Sequence, residues 1–271
     1  MNDTMIKAVP VRHHSRWIFL AIIVAGAAVT VRALMGADID YDVTLEFLTA
    51  ENVLKGLWST LWISVLAQVV GIVLGVVAAV MAGSRFVEVR AVSALYVWLF
   101  RGTPVLVQLL LWYNLSLVVD TVTIPGVGSW ETNSLITPFV AALLGLGINE
   151  GAYMAEIVRA GISSVDKGQS EAAQALGLSP AHTMRRVVLP QAMRVIVPPT
   201  GNQFVSMLKT SSLAYAIQYG ELLQSAVRVY TNNLMIVELL LTVSIWYLVL
   251  TTIATVLQRF LERRYSKGVQ R

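Results

Sequence analysis

GQSEAAQALGLSPAHTMRRVVLP, residues Gly168–Pro190, is a polar island between two apolar runs, and its reading decides the fold. Glu171, Ala172 and Ala173 sit in helix-forming sequence, and Gly177 can take the left-handed backbone that stops a helix. Ser179 is a natural N-cap, with Pro180 in the first turn behind it. Pro190 ends this second helix or begins the next apolar run. Two short helices joined by a tight turn, held between apolar segments, make a docking device.

Composition says what the island is held against. Of 271 residues 56% are apolar and 13% are charged, with mean hydropathy +0.68. A soluble domain of this size carries about 25% charged residues, so most of this chain faces lipid or other membrane helices. The absence of cysteine excludes a disulfide framework and a Cys-ligated metal. Three histidines, two of them adjacent near the N-terminus, make no metal cluster. The net charge of +4 says less than where the charges sit, and nothing calls for a nucleic-acid partner.

Working outward, Gln191–Ala216 re-enters the membrane through Pro198-Pro199-Thr200-Gly201-Asn202, which is expected to kink or break its helix. Tyr219–Asn233 reads as a polar connection, and Leu234–Leu257 as the last span. The basic tail Arg259, Arg263, Arg264, Lys267 and Arg271 follows. On the other side, Ser134–Ile157 is a span containing Glu150 and Glu156. Asp120–Asn133 is turn-rich and lacks Lys and Arg. Ala91–Val119 is apolar but interrupted at Arg101-Gly102-Thr103-Pro104. Gly83–Arg90 is a charged loop, and Leu57–Ala82 is a span with Gly71 and Gly75 at a spacing that lets helices approach closely.

Residues 36–56 are acidic (Asp38, Asp40, Asp42, Glu46, Glu51) and read as an external segment. Ahead of them, Lys7, Arg12 and Arg16 precede the apolar run Trp17–Ala37. That run is either a cleaved signal or a first membrane helix. It is long enough to cross about 30 Å of hydrocarbon, with Arg32 snorkelling outward. The lack of a small-x-small cleavage site favours the helix.

The positive-inside rule orients the chain. With the N-terminus, Gly83–Arg90, Arg159–Arg194 and the tail inside, those segments hold 15 of the 20 basic residues. The outside segments hold only Lys55 and Arg228. Gly168–Pro190 is therefore expected in the cytoplasm. The expected organisation is 1–40 as N-terminus and extra helix, 41–262 as one helical membrane domain, and 263–271 as a basic tail.

Several motifs now carry a family resemblance. Gln169-Ser170-Glu171-Ala172-Ala173, Gly177 and Val187-Val188-Leu189-Pro190 resemble the EAA loop of permeases of ATP-binding-cassette importers. Arg101-Gly102-Thr103-Pro104 with Gln108 is similar to a segment of the polar amino-acid subfamily, as are AYMAEIVRAGI at 152–162, Pro198-Pro199, GNQF at 201–204 and KTSSL at 209–213. The resemblance covers roughly residues 53–262. Two features depart from it: the segment before residue 40 is extra, and Thr210 stands where an acid or amide often follows the lysine.

The resemblance implies an all-α integral membrane protein, with a five-helix type I importer permease core and an extra N-terminal transmembrane helix. It implies a multi-pass chain of the bacterial plasma (inner) membrane with both termini cytoplasmic. The implied partners are two ATPase subunits, a second permease chain in a homodimer or heterodimer, an external amino-acid-binding protein and membrane lipid. ATP-Mg would sit on the ATPase, with no cofactor on this chain, which carries no GxxxxGK[ST] phosphate loop. Residues Gln169, Glu171, Ala172, Ala173, Gly177, Leu189 and Pro190 would couple to the ATPase through a loop spanning about residues 160–190.

Polar groups inside spans are costly, so each needs water, a partner or a function. Glu150 and Tyr153 are candidates for the substrate pathway, with Asn202, Gln203, Lys209, Ser211 and Ser212 opposite. For Glu150, a structural hydrogen bond competes with receipt of an ammonium group. For Ser211 and Ser212, repair of freed backbone groups competes with substrate contact. Arg101, Gly102, Thr103 and Pro104, with Pro198 and Pro199, read as structural or gating elements. Glu156 and Arg159 suit an i,i+3 pair. Trp112, Tyr113, Trp130 and Trp246 suit interfacial anchoring or packing. An integral membrane enzyme would need a nucleophile–base pair or a metal set, and no histidine lies among the core spans. An ion channel would need no docking loop.

Overall fold

The computed structural model describes residues 14–37, 39–126 and 128–265. The basic residues Lys7, Arg12, Lys267 and Arg271, together with Asp38, lie outside the described residues. In chain order the elements are α1 (His14–Met35), α2 (Tyr41–Leu48), α3 (Glu51–Ala82), α4 (Val87–Gly102) and α5 (Val105–Tyr113). Then come β1 (Thr121–Ile124), β2 (Gly128–Glu131), α6 (Thr132–Leu135), α7 (Pro138–Ser163), α8 (Lys167–Ala175) and α9 (Pro180–Thr183). The chain closes with α10 (Leu189–Thr210), α11 (Leu222–Asn233) and α12 (Ile236–Tyr265). It divides into one unit up to Val43 and another from Thr44.

Within the first unit, α1 is long and apolar enough to cross a membrane over Arg16–Ala33. In the second unit α3 and α12 pass the same criterion, and α4 with α5 make a broken span bent by 102°. Helices α7 and α10, of 26 and 22 residues, are more polar. At 1.5 Å per residue both still reach about 30 Å or more, and both pack against α3.

Glycine lets α3 and α7 pack tightly. A Cβ on Gly71 of α3 would lie 2.5 Å from Cγ of Glu150 on α7. One turn on, a Cβ on Gly75 would run into Met154 and lie 2.9 Å from the Ala155 backbone nitrogen. The two helices meet backbone to backbone, as small residues four apart permit. On one side of this seam Ile63, Ala67, Leu109, Ala141, Leu146 and Met207 form a core, against which Trp112 and Tyr113 pack. On the other, Ala79, Met154, Val158, Ala192 and Ile196 join α3 and α7 to α10.

Three loops differ from their expected form. The turn-rich segment before α7 contains an antiparallel ribbon pairing Thr121 with Glu131 and Ile124 with Gly128. Gly126 at φ +81 turns it. Pro198 and Pro199 do not break their helix, because α10 continues through both. Proline removes the N–H that would have bonded the carbonyl four residues back, and membrane helices tolerate this when neighbours help. The carbonyls that lose a donor here are those of Arg194 and Val195; one turn on, Thr200 Oγ1 donates to the Ile196 carbonyl at 2.8 Å, and Gln258 Nε2 of α12 lies 3.4 Å from the Pro198 carbonyl. The break comes later, at a 3-10 segment over Ser211–Ile217.

The connection 219–233, expected to be merely polar, is mostly α11, and a buried acid starts it. Glu221 is fully buried, and its carboxylate accepts from the Leu223 N–H at 2.9 Å and the Gln224 N–H at 2.7 Å. Tyr247 on α12 donates its hydroxyl to the same carboxylate at 2.7 Å. Glu221→Gln keeps the shape and weakens all three bonds. It should cost about 1–2 kcal/mol, read as a lower midpoint in thermal unfolding of the detergent-solubilised chain. Trp246 donates its indole N–H to the Leu48 carbonyl at 3.0 Å.

Candidate translocation cavity and docking loop

A cavity of about 480 Å³ opens where the α4–α5 bend meets α7 and α10. The bend is built from its own sequence. Pro104 has no N–H, so the Phe100 carbonyl loses its helical donor. Gln108 Nε2 supplies one at 3.0 Å, and Asn149 Nδ2 on α7 supplies another at 2.7 Å. Gln108 also bonds Thr103 Oγ1 at 2.8 Å, and Thr103 Oγ1 bonds the Leu99 carbonyl at 2.8 Å. Every side of the break is tied, so it is a fixed corner that lines the cavity.

Two charged residues on the cavity wall behave differently. Glu150 is 5% exposed, and its carboxylate accepts from Gln68 Nε2 of α3 and Gln203 Nε2 of α10, each at 3.3 Å. Among the described residues no cation forms an ion pair with it. Arg101 lies with its guanidinium carbon 5.2 Å from the centroid of the Tyr153 ring, within cation–π range. Its Nη1 is 4.0 Å from Glu156 Oε2, a carboxylate that Arg159 holds at 2.6 Å. Arg101 is thus steered from two sides, while Glu150 faces the cavity with amides as its partners.

Of the residues that sequence reasoning placed on the pathway, the cavity brings together Glu150, Tyr153 and Gln203, with Arg101, Gly102, Thr103 and Pro104 beside them. It does not bring Asn202, Lys209, Ser211 or Ser212. Asn202 accepts from Gln258 Nε2 at 2.9 Å on the α12 side of its helix. Ser211 and Ser212 turn back onto the Leu208 and Lys209 carbonyls at 2.9 and 2.7 Å. These two hydroxyls repair the helix end, as backbone groups freed in a broken span require. Lys209 is exposed and away from the cavity, and Pro198 and Pro199, half-buried, lie away from it too.

The lining also includes Asn149 and Thr210, sequence neighbours of the candidates Glu150 and Lys209, and Ser206, which the sequence reading passed over. Gln203, Ser206 and Thr210 recur at i, i+3 and i+7, one polar stripe of α10. That spacing was the available signal.

The second candidate site is the loop over Gly168–Pro190. Asp166 caps α8 by accepting from the Gly168 N–H at 2.7 Å. Gly177 has φ +81, its N–H bonds the Gln174 carbonyl at 2.9 Å, and the Leu178 N–H bonds the Ala173 carbonyl at 3.1 Å. Together these bonds close a Schellman turn. Ser179 caps the next helix through the His182 N–H at 3.4 Å. From there α9 passes through a π-helical segment, Met184–Val188, into α10, whose first turn contains Leu189 and Pro190.

Ala173 is buried against the bundle, Glu171 and Ala172 are exposed, and Leu176 at the tip is 84% exposed. Gln169 Oε1 accepts from Gln191 Nε2 at 3.4 Å, tying α8 to α10. The loop therefore presents an acid, a small flat face and an apolar knob, all rigidly joined to a cavity-lining helix.

Over 269 residues the chain is 42% identical to the arginine transport system permease protein ArgU of Corynebacterium glutamicum, covering 98% of this chain and 85% of that one. It is 35% identical over 174 residues to the glutamine transport system permease protein GlnP of Escherichia coli K12, covering 64% and 74% of the two chains. A solved amino acid ABC transporter with histidines superposes with TM-score 0.73 at 34% identity, covering 84% of this chain and 100% of that chain. Residues 71–267 match the model of the binding-protein-dependent transport system inner membrane component. With that match spanning most of its length, the chain belongs to the family of binding-protein-dependent transport permeases, the membrane subunits of ATP-binding-cassette importers.

Proposed function

We propose that this permease moves a polar amino acid, and that Glu150 receives a cationic group of the substrate inside the membrane. Two amides hold that carboxylate at the cavity wall, and among the described residues no cation pairs with it. This is the observation that carries the reading. Arg101, on the same wall, is the group of opposite sign that a zwitterion's carboxylate would meet. The similarity to an arginine permease agrees with a cationic substrate. An acid inside a span that faces a cavity with polar lining is the pattern expected of a pathway residue.

Coupling would run through the loop after α7. The α8–α9 turn would seat in a cleft of the ATPase, with Glu171 facing basic or hydrogen-bonding groups there and Ala172 allowing close approach. Motion of the turn would pass through α10 to Gln203, Ser206 and Thr210 at the cavity. The basic residues Arg159, Lys167, Arg185, Arg186, Arg194, Arg259 and Arg263 gather at this end of the bundle, which supports a cytoplasmic, inner-membrane orientation. Two ATPases, a second permease chain and an external binding protein would complete the importer.

Glu150→Gln tests the cargo. A hydrogen bond to a charged group contributes about 1.5–3 kcal/mol, so uptake of a cationic amino acid should fall about 10- to 100-fold. Uptake of a neutral one should change far less. Equal retention of both at wild-type rates would remove Glu150 from the pathway.

A further inference from the structure

The last turns of α12 carry arginines that form no ion pair among the described residues. Arg259 and Arg263 line one side of a recess of about 350 Å³, and Arg194 and Pro198 of α10 line the other. Glu262 is the carboxylate among the lining residues, and its Oε1 is taken by Gln258 Nε2 at 2.8 Å. Among the described residues no ion pair links Glu262 to any of the three arginines. The recess therefore carries an excess of positive charge, and guanidinium groups match phosphate oxygens two at a time.

The surface beside it is apolar. Val256 and Phe260 share a cleft of about 170 Å³ with Arg259 and Arg263. Ile253, Val256 and Phe260 are exposed and recur at i, i+3 and i+7, so they form one stripe of α12. That stripe runs from the arginines toward the middle of a helix apolar enough to cross a membrane. Charge sits at the end of the span and hydrocarbon surface leads away from it into the bilayer. A protein partner drawn by charge alone would need only the arginines. A molecule with a phosphate at one end and an acyl chain at the other fits both features.

We propose that the recess between α10 and α12 binds the headgroup of an anionic phospholipid, with an acyl chain lying along Ile253, Val256 and Phe260. The site lies on α10, the helix that continues without a break into the docking loop, so the lipid braces the root of that loop.

The test uses the full chain, purified with its ATPase and loaded with phosphatidylglycerol or phosphatidylcholine, with retained lipid counted by native mass spectrometry. Wild type should retain phosphatidylglycerol in preference to phosphatidylcholine. At roughly fivefold for each arginine near the headgroup, Arg259→Gln with Arg263→Gln should lower retention about 25-fold. Arg85→Gln, an exposed arginine outside the recess, should leave it unchanged. Should the double variant fail to assemble, Arg194→Gln on the other helix carries the test, with an expected loss of about fivefold. Equal retention by recess variants and the Arg85 variant would overturn the proposal, as would equal retention of the neutral lipid. So would displacement of the lipid by millimolar inorganic phosphate alone, or unchanged lipid retention with loss of the ATPase from the double variant.

Discussion

Gly177→Val should abolish ATP-driven uptake while the permease still reaches the membrane. At φ +81 a residue with a Cβ costs about 1–2 kcal/mol, and a β-branched one more. No neighbour lies within 4 Å of that Cβ position, so the penalty is purely conformational. The Schellman bonds from Gly177 and Leu178 would be lost, and the tip carrying Leu176 would turn away from its present direction. We expect uptake to fall to background, with ATP hydrolysis no longer stimulated by substrate. Gly177→Asn, which tolerates the left-handed conformation, should retain most of the activity. Normal uptake by the valine variant would mean that the turn's geometry is not what the ATPase engages.

Gly75→Leu should leave little folded protein. The new side chain would meet Met154 and the Ala155 backbone at the closest approach of α3 and α7, where no space remains. Overpacking of a tight core costs typically 1–3 kcal/mol, and a leucine against backbone should exceed that range. The expected readout is loss of the monodisperse peak in fluorescence-detected size exclusion. Val80→Leu, on the same helix but exposed, should behave as wild type. A stable Gly75→Leu protein would show that the two helices can separate, and that the position of Glu150 is not set by their contact.

How far the sequence could be read depended on the range of each interaction. The docking loop was legible because its determinants are local. Gly177, Ser179 and Pro180 each act within one turn, and each takes the predicted conformation. The break at Arg101–Pro104 was legible for the same reason, since proline removes a donor from its own helix. What satisfies that break was not legible, because Asn149 lies 49 positions away from Phe100.

The expectation at Pro198-Pro199 failed for the converse reason. The local rule predicts a break, but α10 is packed against α7 and α12 and runs on through both prolines. Glu150 stood out as an acid inside a span, yet its partners Gln68 and Gln203 lie 82 and 53 positions away in sequence. Glu221 escaped notice because it looks like one more polar residue in a loop, and only the fold buries it. Asn202, Lys209, Ser211 and Ser212 were drawn to the pathway by their polarity, but rotation about α10 and the end of that helix direct them elsewhere. Thr210, which had looked like a departure from pattern, instead lines the cavity.

The most direct test of the account is uptake of labelled amino acid into proteoliposomes containing this permease with its ATPase, binding protein supplied on the side opposite the nucleotide. Accumulation against a gradient that requires ATP, the ATPase and the binding protein together, and that Gly177→Val eliminates, is the predicted result. Downhill flux through the permease without ATPase or ATP, unaffected by Gly177→Val, would contradict it.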